Sequence, residues 1–530
     1  MKIKYIILFI IVFAIGRINA QNFTLYNMKG VVQSFNVNPS AIPLSLFNLG
    51  IPVISSVNLN ISNSGFAYSD VIVKKADDSL HLDINNLIAS LAKNNYLNTS
   101  LHVELFNLGF KVKKSYFSIN ATEKIDLSFA YPKDFIELLG KGNGGLIGKE
   151  ASFNFGLNFS HYREYAFGYA GEINDHLTIG GKLKYLYGME NVNTTKSDLS
   201  LYTSSDFSSM SAKADILINT SGANPNAFKN FNPTNYLTKK DNKGFGADLG
   251  ATFKLDDKLS FSASVLDLGY INWNEDTRNY KSRNPGSGFT FNGVNYSQFS
   301  DTGFAAKMTD SVSRSFNIDT LKGSYKTWLP AQIYVGGRFQ LSEKQNVGLL
   351  LYSQIFNKEV HPGFSLSYSA QLGDFLNASV SYSMVNRSYS NIGFGLALKP
   401  GPVQLYVVTD NILCAIVPQH TKNLNIRFGL NLVFGGGDDD DDDHDVDSKP
   451  EKKEKKVEKK STSTPAPTPK SGKPAKAPKP VSTPKPKVSK KDDNPRPEGA
   501  PTKVNTPPLK ENVPPPMKES APKKEVTKPK

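Results

Sequence analysis

LNIRFGLNLVF, residues 424–434, carries two residue sets that alternate without a break. Ile426, Phe428, Leu430, Leu432 and Phe434 fall on one side, and Asn425, Arg427, Gly429 and Asn431 on the other. A period of two is the signature of a β-strand with unlike faces. The same pattern runs back through the chain. Phe364, Leu366, Tyr368, Ala370 and Leu372 alternate with Ser365, Ser367, Ser369 and Gln371; Leu376 to Met384 alternates with Asn377, Ser379, Ser381 and Ser383. Ile333, Val335, Gly337, Phe339 and Leu341 oppose Gln332, Tyr334, Gly336, Arg338 and Gln340. Earlier, Phe153–Phe159, Leu177–Tyr187, Phe245–Phe253 and Leu259–Val265 repeat the pattern. The polar face is mostly Ser, Gly and Asn, with few of the charges that an open solvent face would carry. Small polar residues suit the interior of a barrel whose apolar face meets lipid. The fold class expected is therefore all-β: a transmembrane antiparallel β-barrel of about 14–16 strands, the count depending on whether residues 51–75 supply two strands or a plug.

Composition divides the chain. Of 530 residues, 62 are Lys or Arg and 48 are Asp or Glu, but residues 448–530 hold 23 and nine of these and 19 of the 31 prolines. The preceding 447 residues carry 39 of each sign, so the net charge of +14 belongs to the tail. A basic nucleic-acid-binding fold is thereby excluded. Without Phe, Tyr or Trp the tail cannot bury enough surface to offset ordering entropy, and it reads as disordered. Between barrel and tail lies a Gly/Asp linker, residues 435–447, in which the run Asp438–Asp443 offers carboxylates to calcium without the glycine and spacing of an EF-hand loop. At the other end, residues 1–20 read as a secretory signal peptide, with Lys2 and Lys4 before the apolar run Tyr5–Ile15 and cleavage expected before Gln21. Residues 21–50 form an N-terminal segment, a candidate plug, and 51–434 the barrel.

Both barrel ends are expected in the periplasm of an outer-membrane protein, with short turns there and long loops outside. Counting back from a descending last strand puts the turns at 399–402, 373–374, 342–344, 256–257 and 174–175 in the periplasm. The insertions 190–242 and 274–329 then fall outside. By the same count two short helices, Leu87–Lys93 and Phe135–Leu139, fall on the periplasmic side.

Chemistry is sparse. The seven His show no HExxH spacing, and no GxSxG or phosphate loop occurs. The single Cys, Cys414, rules out a disulfide framework. No catalytic, cofactor or metal residues are expected, and no enzyme. The candidate lumen-facing charges are Lys182, Lys184, Asp248, Arg338, Asp410 and Arg427; their mixed signs favour pairing in a filled interior over a charge-selective pore. Asp410 and Arg427, on the last two strands, are expected to form one such pair. Phe434 is expected to be the terminal aromatic of the last strand, at the lipid boundary.

LYNMKGVVQSFNVNPS (25–40), GFGADLGATFKLDDKLSFSASVLDLGYINW (244–273), GSYKTWLPAQIYVGG (323–337), GPVQLYVVTDNI (401–412) and NIRFGLNLVFGGG (425–437) resemble an uncharacterised family of Bacteroidota outer-membrane barrels, itself distantly similar to FadL-type transporters. Where FadL-type barrels often carry Asn-Pro-Ala, this chain has Asn38-Pro39-Ser40. The resemblance implies the barrel and the outer membrane, and no particular chemistry. Two functions follow as expectations. The first is a structural or accessory subunit of an outer-membrane complex, its basic tail a periplasmic arm toward the cell wall or an envelope partner. The alternative is a transporter or pore for small, hydrophobic solutes. Expected partners are outer-membrane lipid and an envelope complex, not nucleic acid.

Overall fold

The computed structural model describes residues 22–435, apart from 207, 223–241, 285, 287, 292–317, 357–358, 374 and 386–387. The expected signal peptide, nearly all of the Gly/Asp linker and the tail lie outside these residues. Fourteen antiparallel strands close into a barrel, the lower of the two counts. We number them β1–β14 around the wall. β1 is split into Phe47–Gly50 and Val57–Asn63. Both halves pair with the same two neighbours, so they are one strand. There follow β2 (Asn94–Val112), β3 (Ser115–Pro132), β4 (Gly156–Glu172), β5 (Leu177–Thr203), β6 (Asn242–Lys254) and β7 (Leu259–Trp273). The second half comprises β8 (Ala331–Ser342), β9 (Gln345–Phe356), β10 (Glu359–Leu372), β11 (Leu376–Val385), β12 (Ser388–Leu398), β13 (Val403–Thr409) and β14 (Asn423–Phe434). Closure is made by β14 against β1, with Phe434 opposite Phe47 and Phe428 opposite Val57. The first strand thus opens at Phe47, and residues 57–63 complete it rather than adding strands of their own.

Alternation explains the two environments. Along β14 the even-numbered side chains are turned outward, and Asn423, Asn425, Arg427, Asn431 and Val433 are buried. Leu183, Phe245, Leu249, Phe261, Val335 and Leu366 are exposed on the outer face. Leu183, between two buried lysines, is 70% exposed. A ring of large apolar side chains on every strand is a surface for lipid, since water tolerates apolar patches of only a few hundred Å². Among the described residues no helix is long and apolar enough to cross a membrane.

Four of the expected short turns, Gly373 of the fifth (whose residue 374 lies outside the described residues), and Lys113-Lys114 between β2 and β3 all lie at one end of the barrel. Loops following β5 and β7 lie at the other. There the sheet continues past the wall: β5 runs for 27 residues, and its far end pairs with Met210–Ser221, which in turn pairs with Thr277–Ser282. The two helices are found at Ile84–Ser90 and Lys133–Lys141, but at this long-loop end, a correction to the side expected. The cause is β4. Residues 156–172 form a single strand whose register shifts at His161/Tyr162 without reversing the chain. A single crossing between the helix Lys133–Lys141 and the turn at 174–175 puts that helix at the end opposite the turn, and the β2–β3 hairpin puts the other helix beside it.

Candidate functional site: a plugged, charged lumen

Eight strands leave an interior that side chains can fill; fourteen leave more space than their own side chains occupy. Here the N-terminal segment occupies it. Phe23, Leu25, Tyr26, Met28, Val31, Phe35 and Val37 are all buried, inside a wall whose inner face is polar. Their partners are the few aromatics pointing inward: Phe23 meets Tyr352 edge-on at 5.3 Å, Tyr26 stacks on Tyr334 at 5.3 Å, and Phe35 meets Tyr116 edge-on at 5.0 Å. Glycines on the inner face make room for the segment's backbone. A Cβ at Gly180 would collide with the Pro39 carbonyl, and one at Gly250 would stand 2.5 Å from Asn38 Oδ1.

Polar contacts fix the plug's height. The Asp410 carboxylate accepts from Thr24 N–H at 2.9 Å, Thr24 Oγ1 at 2.8 Å and Phe23 N–H at 3.3 Å. Gln33 donates to Glu104 Oε2, Asn431 Oδ1 and the Ser55 carbonyl at 3.1, 2.9 and 3.1 Å. Ser264 Oγ donates to the Val37 carbonyl at 2.8 Å, and Gln404 Nε2 to the Gly30 carbonyl at 2.7 Å. Ser55 belongs to the six residues between the halves of β1. In that stretch Pro52, Val53 and Ile54 are exposed outward, while Ser55 and Ser56 are buried inward.

The plug borders a chamber on each side. On its long-loop side, Asn36 and Val37 face a polar chamber of about 80 Å³, room for a handful of waters at roughly 10–15 Å³ each. Its wall carries an ionic layer. Lys184 Nζ lies 2.6 Å from Asp248, 2.7 Å from Asp267 and 3.4 Å from Glu164; Lys124 Nζ lies 2.7 Å from Glu164 and 3.4 Å from Asp267. Asp267 sits in a β-bulge, with φ +57°. Its N–H donates to Asp248 Oδ1 at 2.7 Å, and its second oxygen accepts from Gln332 Nε2 at 3.2 Å. On the short-turn side lies a chamber of about 250 Å³. Met28, Val31, Ile42 and Leu44 form its apolar part, and Lys29, Lys254, Arg338 and Glu172 its charged part.

The expected lumen charges divide as follows. Lys182 is buried, donates to Asn36 Oδ1 at 2.5 Å and lies over the Phe35 ring at 4.7 Å. Lys184 and Asp248 are in the ionic layer. Arg338 Nη2 donates to the Asn27 carbonyl at 3.3 Å, beside the short-turn chamber. Asp410 and Arg427 are both buried, but the expected ion pair between them is absent. Asp410 faces the plug, and Arg427 Nη1 reaches Ser56 Oγ at 3.5 Å. Register explains this: Arg427 is opposite Val408, so Asp410, two residues on and past the end of β13, meets the incoming N-terminus instead. Phe434 is half-exposed beside Phe47, ring centroids 6.0 Å apart.

Sequence reasoning missed Lys124, Glu164 and Asp267, the other half of the layer. It also missed Glu123, which binds Arg163 Nε at 2.7 Å and His161 Nε2 at 2.6 Å, and the His102–Asp126 contact at 3.0 Å. The signal was available in 94–132, where His102 and Glu104 in β2, and Lys124 and Asp126 in β3, stand two apart on one strand.

Solved structures similar to the chain include two toluene transporters. TodX of P. putida has 10% identity and a TM-score of 0.35, covering 77% of this chain and 92% of its own. TbuX of Ralstonia pickettii has 9% identity and a TM-score of 0.34, covering 76% and 93%. A Pseudomonas aeruginosa FadL homologue has 9% identity and a TM-score of 0.36, covering 79% and 99%. No curated protein matches the chain. Residues 39–410, from the end of the plug to the Asp410 that holds its beginning, match the family of unknown function DUF5723, and the chain belongs to that family.

Proposed function

We propose that this protein is an outer-membrane transporter for small solutes bearing an apolar part and a negative charge, with the N-terminal segment as its gate. The observation that carries the reading is the chamber on the short-turn side of the plug. Three cations, Lys29, Lys254 and Arg338, share it with one carboxylate, Glu172, and with the apolar side chains of the plug itself. A solute lodged there touches the plug directly, so its binding bears on whether the plug stays seated. In this reading the short turns and both termini face the periplasm and the long loops face outward. The reading of an accessory subunit rests on the segregation of the net charge into residues 448–530.

Thr24 Oγ1 and Ser381 Oγ are 2.8 Å apart, close enough for cysteines at both positions to be bridged. In a Cys414→Ser background, Thr24→Cys with Ser381→Cys should admit medium-chain carboxylates into proteoliposomes when reduced and exclude them when oxidised. Vesicles that stay impermeable in both states, from a preparation carrying a stoichiometric envelope protein, would replace the transporter with the accessory subunit.

A further inference from the structure

The geometry points to a binding site for a small oxyanion, a carboxylate or a phosphate, on Arg427 in the chamber on the long-loop side of the plug. It is separate from the apolar chamber below and does not require that the barrel conduct.

The chamber's lining carries four cations and four carboxylates, but its ion pairs among the described residues leave one guanidinium without an ionic contact. Glu164, Asp248 and Asp267 are engaged by Lys124 and Lys184. Glu104 is occupied by amide donors from Gln33, Asn36 and Asn107. Arg427 is 7% exposed, and among the described residues no carboxylate lies within 4.0 Å of it. Among the described residues its one hydrogen bond is the 3.5 Å contact to Ser56, and its Nε has no partner there. A buried cation without a counter-charge is costly, and a planar fork of N–H donors is the group best matched to a two-oxygen anion. Lys182, in the same chamber, is a second cation without a carboxylate within 4.0 Å among the described residues; there it holds Asn36 Oδ1 and the Phe35 ring. The amide oxygens of Asn58 and Asn120, lining the chamber and unpaired, suit a hydroxyl or a protonated oxygen on the same ligand. The volume near 80 Å³ limits the ligand to a few heavy atoms.

The site is coupled to the plug through Asp410. That carboxylate lies two residues beyond Val408, the residue opposite Arg427, and with the plug seated its oxygens are taken by Phe23 and Thr24. When the plug leaves, Asp410 becomes free to neutralise Arg427. An oxyanion on Arg427 does the same work only while the plug is in place, so binding favours the seated plug and, reciprocally, the seated plug favours binding.

The test is calorimetric titration of the full-length protein in detergent with sodium acetate, sodium lactate and sodium phosphate, at an ionic strength fixed by sodium chloride. Saturable binding is expected, weakened about tenfold or more by Arg427→Gln, the order for losing a hydrogen bond to a charged group. Arg427→Lys keeps the charge without the fork and should fall between; heat-modifiable migration checks that each variant is assembled. Lys114→Gln, in the exposed short turn between β2 and β3, should leave these affinities unchanged. The oxidised Thr24→Cys/Ser381→Cys protein, its plug locked, should bind at least as tightly as the reduced one. Absence of saturable binding, or unchanged binding in assembled Arg427→Gln, overturns the site; weaker binding in the locked protein overturns its coupling to the plug.

Discussion

At the scale of single residues, the plug is held by groups whose loss has distinct signatures. Asp410 is fully buried and accepts three hydrogen bonds from Phe23 and Thr24. Asp410→Ala removes all three and should destabilise the seated plug by about 2–4 kcal/mol, the scale of a few bonds to one charged acceptor. Thr24→Ala removes only the hydroxyl and should cost about 1 kcal/mol. The measurement is trypsin cleavage after Lys29 in the otherwise intact barrel, faster in Asp410→Ala than in Thr24→Ala; equal and slow cleavage in both would show that Asp410 does not anchor the plug. At this scale the sequence was half legible. That Asp410 and Arg427 face inward follows from alternation along β13 and β14. Their partners do not, because each side chain's partner comes from elsewhere in the chain: Phe23 and Thr24 lie 387 and 386 residues from Asp410, and Ser56 lies 371 from Arg427.

Among elements, the strands read most clearly were those whose inner face is Ser, Gly or Asn. In β11, Ser379, Ser381 and Ser383 are buried as alternation required. The hairpin β2–β3 escaped notice although it contains two of the longest strands, because its inner face carries His, Glu, Lys and Asp and so resembles a solvated surface until the opposing charges are placed. β1 was obscured by its six-residue interruption, which breaks the period of two between Gly50 and Val57. β4 mattered most, since reading it as one crossing settles which end carries the helices. Leu139 in Lys133–Lys141 is 68% exposed and Ile416 in Leu413–Ile416 is 66% exposed, both at the long-loop end. In a Cys414→Ser background, Leu139→Cys and Ile416→Cys should therefore react with a membrane-impermeant maleimide from the same side of the membrane, and Asp256→Cys in a short turn from the other. Labelling of Leu139→Cys and Asp256→Cys from one side would restore the periplasmic helix and undo the strand assignment.

Across the whole molecule the usual arrangement of a soluble protein is inverted, with apolar side chains outward on lipid and an ionic layer within. Cohesion between distant parts of the wall then depends on charges as well as on the backbone ladder. Lys124, Glu164, Lys184, Asp248 and Asp267 come from β3, β4, β5, β6 and β7, so one connected layer spans five consecutive strands. Lys184 is its hub, touching all three carboxylates. Lys184→Met leaves those carboxylates with Lys124 alone and should cost about 3–5 kcal/mol, the penalty of stranding a buried charge. Adding Asp248→Leu removes the carboxylate that depends most on Lys184, since among the described residues it has no other cation within 4.0 Å. The double variant should therefore be more stable than Lys184→Met, because an apolar pair replaces an ion pair at little net cost. The midpoint temperature of conversion from the folded to the unfolded electrophoretic form in detergent reads both effects. A double variant no more stable than Lys184→Met would mean that the layer tolerates unpaired charge, as a water-filled passage does, and that the wall at this height is held by its backbone ladder alone.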